Sequence, residues 1–217
     1  MGLGLEVGVL ADLRGTDEEG FSSYHEQFEI LNEVLRAEGL AEHAEPQELE
    51  DGFSCAMFGY SGLHYLRRVA AHLALGKPIP PPGDGDAYKD PILNQDYWDR
   101  FRTGERLEYQ HLIVHSDAEG SYVPVDFERA LVVTSFPLAG GMLGSTQRLQ
   151  AECADLAGVL GMPVEMDHES DELWRAPDTQ GRGQLRWQQY GVETFTCLRL
   201  LAACDASLRT KAAIVFV

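Results

Sequence analysis

His115, Asp117 and Glu119 fall within five residues of one another, inside the stretch His111 to Phe127 (HLIVHSDAEGSYVPVDF). One imidazole and two carboxylates so placed can hold a cation, move a proton, or build a hydrogen-bonded turn. A metal-dependent hydrolase on these residues, with Asp126 as a further group, would use the bound cation to activate water. The calcium-loop pattern D-x-[DN]-x-[DN]-G is missing, and Gly59-Tyr60-Ser61-Gly62 lacks the spacing of a nucleophile elbow. No catalytic motif is complete, so the reading leans away from an enzyme and expects neither cofactor nor metal. In the structural reading, Asp117 accepts backbone N–H bonds within the Ser116 to Ser121 loop, and His115 packs on the hairpin that this loop would close.

The flanks of this loop read as a β-hairpin. Leu112, Ile113 and Val114 form a β-prone run, and Val123, Val125 and Phe127 alternate with Tyr122, Pro124 and Asp126. Leu3 to Leu13 reads as a strand, with Leu5, Val7 and Val9 alternating likewise, and Ala212 to Val217 ends the chain as a buried strand. Phe21, Phe28, Leu31, Val34 and Leu35 take helical spacing behind Asp17, Glu18 and Glu19, with Gly39 as the stop. Further helices are predicted over Ser61 to Leu75, Asn94 to Arg106, Ser145 to Leu160 and Val192 to Leu208. Leu131 to Phe136 is too short to assign, and Ala139-Gly140-Gly141 reads as a flexible break. The expected fold is α/β or α+β, a mixed sheet with a central β-hairpin and flanking helices.

The chain has 217 residues, 44% of them hydrophobic. That length supports a single domain over residues 1–217. Residues 40–104, which include the Pro- and Gly-rich segment Lys77 to Pro91, read as a helical, Pro-rich insertion within it. Four cysteines show no C-x-x-C pair, and Cys197 and Cys204 sit seven residues apart in one predicted helix, roughly 10 Å. That is too far for a disulfide and fits buried thiols. No basic leader precedes the first apolar stretch and no run reaches the ~20 apolar residues of a membrane span, so the expected compartment is the cytoplasm, with no membrane partner.

Charge supplies the functional argument. Thirty-five Asp and Glu stand against seventeen Lys and Arg, for a net charge of -18. No general basic surface is available to displace counterions from phosphates, so nucleic acid is not an expected ligand. The expected partner is a basic protein, met by the acidic stretches Glu42 to Asp51 and Asp167 to Glu172. Within them Glu45, Glu48, Glu50, Asp51, Asp167, Glu169 and Asp171 are the candidate binding residues. His64, Arg67, Arg68 and His72 make a concentrated basic face, read as pairing with acidic neighbours between elements.

The start MGLGLEV, the segment LIVHSDAEGSYVPVDF, the helix GSTQRLQAECADLAGVLGM and the ending AAIVFV together resemble a group of uncharacterised bacterial and phage-associated proteins. Many of these carry a hairpin of the form H-S-D-C-D-G, and some resemble predicted immunity proteins of polymorphic toxin systems. Ala118 and Glu119 replace the Cys and Asp of the common form, while His115, Ser116, Asp117 and Gly120 are kept. The resemblance implies an acidic protein-binding module, an immunity-like inhibitor whose partner is a toxin. The alternatives are the hydrolase on His115, Asp117 and Glu119, and a nucleic-acid mimic, which acidity permits.

Overall fold

Leu5 and Val7 alternate with Gly4 and Glu6, and Gly4–Val7 is accordingly a strand, β1, with Leu5 and Val7 buried. A computed structural model describes residues 3–83, 85–163 and 165–217. The first apolar segment does not continue as a strand to Leu13. Gly8 takes φ 92°, open to glycine without strain, and turns the chain into a short helix, α1 (Val9–Leu13). The next helix, α2 (Glu18–Ala37), starts where the Asp17 carboxylate accepts from Gly20 N at 3.0 Å. It stops in a Schellman turn, Gly39 at φ 71° and Leu40 N donating to Leu35 O at 2.9 Å.

Phe53–Ala56 forms β2, too short to have been read from the sequence, and Gly59–Ala74 forms α3. Trp98–Arg102 is α4. Residues 40–104 thus contribute a strand to the sheet, and Leu63, Leu66 and Val69 of α3 to the larger core. Gln110–Ile113 is a helical turn, α5, and not the first arm of a hairpin. The reason lies forty residues away: the Glu152 carboxylate accepts from His111 N at 3.1 Å and Leu112 N at 2.8 Å, satisfying donors that a strand would have spent on a neighbour. Only the second arm is a strand, β3 (Ser121–Val123).

Leu131–Val132 is β4, and the Gly-rich break expected at Ala139 to Gly141 leads directly into β5 (Met142–Ser145). Helix α6 (Thr146–Leu160) follows, capped by Ser145, whose hydroxyl accepts from Arg148 N. Then come α7 (Asp171–Arg175), α8 (Arg186–Gln189), α9 (Gly191–Thr210) and β6 (Ile214–Phe216). The strand order is β2-β1-β6-β3-β5-β4, antiparallel except for the parallel β3–β5 pair. The fold is α+β, a mixed sheet with flanking helices.

Alternation across this sheet feeds two separate cores. Leu5, Val7, Tyr122, Ile214 and Phe216 point to the side of α3, α6 and α9. Val123, Leu143, Ala213 and Val215 point to the other side, where α1 and α2 bring Val9, Leu10, Phe28, Leu31, Val34 and Leu35. Cys55, Cys153, Cys197 and Cys204 are free and buried. Among the described residues no helix is long and apolar enough to cross a membrane.

Leu31 is 1% exposed and sits under the middle of α2. Leu31→Ala should cost about 2–5 kcal/mol by urea unfolding; a loss below about 1 kcal/mol would mean that α2 is not anchored through this face.

Candidate functional site

The turn that gathers the chemical groups in sequence does not bring them together in space. His115 is 4% exposed and stacks on Tyr122 at 4.0 Å. Its Nε2 donates to Ser121 O at 3.0 Å, and its Nδ1 lies 3.2 Å from Ser116 O. Burial holds the ring neutral, pushed down to about 4 against those carbonyl contacts.

Asp117 does not accept the backbone N–H bonds expected of it. It reaches α3, where it accepts from Arg67 Nη1 and from His64 Nε2 at 3.1 Å. The guanidinium of Arg67, 4% exposed, also donates from Nε to Leu112 O at 2.7 Å and from Nη2 to Ser116 O at 3.1 Å. Burial would raise the Asp117 carboxyl, but the hydrogen bonds and charges of His64 and Arg67 outweigh it and hold the group below its ordinary value. Glu119 points elsewhere, exposed, accepting from Gly140 N at 3.2 Å. Asp126 is paired with Arg148 at 2.6 Å. Among the described residues no three His, Cys, Asp or Glu groups converge as metal ligands.

His111 is a second buried neutral imidazole. Its Nδ1 accepts from Ser145 N at 3.0 Å and its Nε2 donates to Glu128 O at 3.3 Å. Burial, aided by the charge of Arg148, pushes it down to about 3.

The acidic stretches fare differently from one another. Glu45 is no surface group: its side chain is 2% exposed, and its Oε2 accepts from Ala213 N at 2.7 Å and lies 2.6 Å from His43 Nε2. A buried carboxylate so bonded ties the connector to β6 and cannot meet a partner. Glu48 is exposed and paired with Arg14 at 2.7 Å, while Glu50 and Asp51 are exposed. Asp167 accepts from Glu169 N at 2.9 Å, and Asp171 opens α7 with Arg175 at 3.8 Å. The second stretch lies against the edge strand β2, where the Phe53 and His168 rings lie 5.6 Å apart.

The largest carboxylate array is one that the sequence reading passed over, the outer face of α2. Residues 1–66 carry fourteen Asp and Glu against two arginines, a net -12, leaving -6 for the rest of the chain. Those two arginines are engaged elsewhere, Arg14 with Glu48 and Arg36 with Glu42 at 3.1 Å. Glu18, Glu19, Glu26, Glu29 and Glu33 are all exposed. At 100° per residue they fall within about 100° of arc, opposite Phe28, Leu31, Val34 and Leu35. From Glu18 to Glu33 these five carboxylates span roughly 22 Å, about one every 5 Å. Beside them, Glu6 and Asp12 line a cleft with Leu49, Phe53 and Ser54. Burial, with the charge of Asp12, raises the Glu6 carboxyl above its ordinary value. The signal available in the sequence was the contrast of -12 with -6, which neither local stretch displayed.

Two outcomes follow for the turn. Asp117→Ala should cost about 2–3 kcal/mol, because it removes a charged partner from a buried guanidinium; a urea midpoint within error of the parent would refute the pairing. His111 and His115 should keep flat ring-proton NMR shifts from pH 8 to about pH 5. Since both folded values are depressed, the unfolded chain takes the protons first. The stability these rings contribute is therefore complete above the ordinary histidine range and is withdrawn as pH falls from about 6.5 toward 4. Either ring titrating near 6.5 would contradict its burial.

A family model described as "Putative DNA-mimic protein" matches residues 1–216. No curated protein and no solved structure matches the chain. The family match overturns the expected partner: its description points to a DNA-binding protein, in place of a toxin and of a partner with no link to nucleic acid. With all but Val217 covered, the chain belongs to the family of putative DNA-mimic proteins.

Proposed function

We propose that the protein acts as a DNA mimic, occupying the DNA-contacting surface of a DNA-binding protein with the carboxylates of α2 and its flanks. The observation that carries this reading is the one-sided acidic stripe Glu18, Glu19, Glu26, Glu29 and Glu33, which no Lys or Arg neutralises among the described ion pairs. A duplex presents one charge per ~1.7 Å of axis, or one per ~3.4 Å on a single strand. The α2 spacing of about 5 Å comes within a factor of two of one strand, on a helix about 30 Å long.

Such a stripe draws a partner whose own surface is shaped for phosphates. Carboxylates accept the same Arg and Lys donors, and long-range attraction speeds the encounter. Nothing catalytic is needed, which agrees with a turn whose His, Asp and Glu are each committed to structure.

The test is competition. The immobilised protein should retain DNA-binding proteins from extract that a 30-base-pair duplex elutes, and association with a purified one should slow steeply as salt rises. Glu26→Gln, Glu29→Gln and Glu33→Gln together should slow association roughly tenfold at low salt with α2 intact, because Gln and Glu have similar helix propensity. Retained proteins that ignore competing duplex would rule out mimicry.

A further inference from the structure

Beyond the acidic stripe, the other side of the sheet presents exposed rings that are built in place. Trp174 is 51% exposed and Phe58 40%. Both lie edge-on to the buried Phe195, at 5.2 and 6.3 Å between centroids. Arg199, 3% exposed, sets its guanidinium 4.7 Å from the Trp174 ring centre and 5.2 Å from that of Phe195. Its Nε and Nη2 have no hydrogen-bond partner among the described residues. A buried cation behind an exposed indole fixes the ring through its π face. The apolar surface is thereby pre-organised, with little side-chain freedom left to lose on binding.

The rim of this patch carries more carboxylates than cations, Arg175 of α7 being paired with Asp171 at 3.8 Å. Asp171 and Glu172 share α7 with Trp174 and are exposed. Glu169, two residues before α7, is exposed as well. A second copy of the chain would set like charges against each other around the rings, so self-association is disfavoured. The occupant that fits has an apolar or aromatic centre and a basic rim.

Proteins that hold unstacked or kinked DNA have this combination: aromatic platforms or apolar wedges for the bases, Arg and Lys for the phosphates. We infer that the Phe58–Trp174 patch receives the base-contacting side chains of the DNA-binding partner, its rings standing for unstacked bases and its carboxylates for the flanking phosphates. This rests on the DNA-mimic reading above and narrows it, from proteins that grip phosphates alone to proteins that also stack on bases or wedge between them.

The experiment measures displacement of a fluorescent oligonucleotide from three purified probes. These are an OB-fold single-strand-binding protein, a wedge-inserting minor-groove architectural protein, and a polyarginine peptide that contacts phosphates only. The parent protein should displace DNA from at least one of the first two, and Trp174→Ala with Phe58→Ala should need about tenfold more protein to do so. Displacement from polyarginine should be unchanged. Trp174→Leu, which keeps apolar volume without the ring, should show the same loss, so that a misfolded double variant does not decide the matter. Parent and variants displacing equally would sink the patch and leave DNA mimicry standing. A parent that displaces DNA from neither DNA-binding protein would sink the DNA-mimic reading and the patch with it.

Discussion

The row of apolar side chains beneath α2 is what allows its outer face to be so charged. Phe28, Leu31, Val34 and Leu35 are buried against Val123, Leu143, Ala213 and Val215 of the sheet. Full burial of such side chains is worth about 1.5–3 kcal/mol each. Like-charge neighbours three or four residues apart on an exposed helix cost only about 0.2–0.5 kcal/mol a pair. Anchoring therefore exceeds repulsion by a wide margin, and Glu26, Glu29 and Glu33 stay aligned without neutralising arginines among the described ion pairs. The strand alternation that points Val123 and Val215 one way and Tyr122 and Ile214 the other is the precondition.

Arg67 does for the opposite side what the apolar row does for α2. One guanidinium fixes the end of α5 through Leu112 O, the turn through Ser116 O, and Asp117 itself. A basic residue inside an acidic protein consumes a carboxylate that the sequence offers as chemistry. The same logic applies to Glu152 and Glu45, whose oxygens accept backbone N–H groups of α5 and of Ala213, just before β6. In each case a carboxylate that looks free in the sequence is engaged by a residue forty or more positions away.

That distance separates what was legible from what was not. The helices α2, α6 and α9 were readable because their 3.6-residue repeat, caps and stops are local, and Asp17, Ser145 and Gly161 lie where those signals place them. Strand β2 has four residues and no period to detect, and α5 depends on a cap from α6 that no window around Leu112 contains. The α2 stripe was half legible. Its apolar face was read, and its glutamates are plain in the sequence, but their alignment becomes a surface only once the helical angle is applied to the charged residues as well as the apolar ones.

The distribution of charge carries the functional argument further than its total. A net -18 spread evenly would lend solubility and a diffuse field, which any acidic protein has. Here twelve of those charges belong to the first 66 residues, and three arginines, Arg67, Arg68 and Arg199, are buried in α3 and α9 where they do little to temper the surface. Other exposed arginines are paired with nearby carboxylates, as in Arg148–Asp126 and Arg102–Asp99. A DNA-binding protein senses the field only of the face it meets, within about a Debye length of 8 Å at physiological salt. The face beyond α2 therefore presents a local charge density that the overall composition understates, and this local density, rather than acidity as such, is what a site shaped for phosphates would recognise.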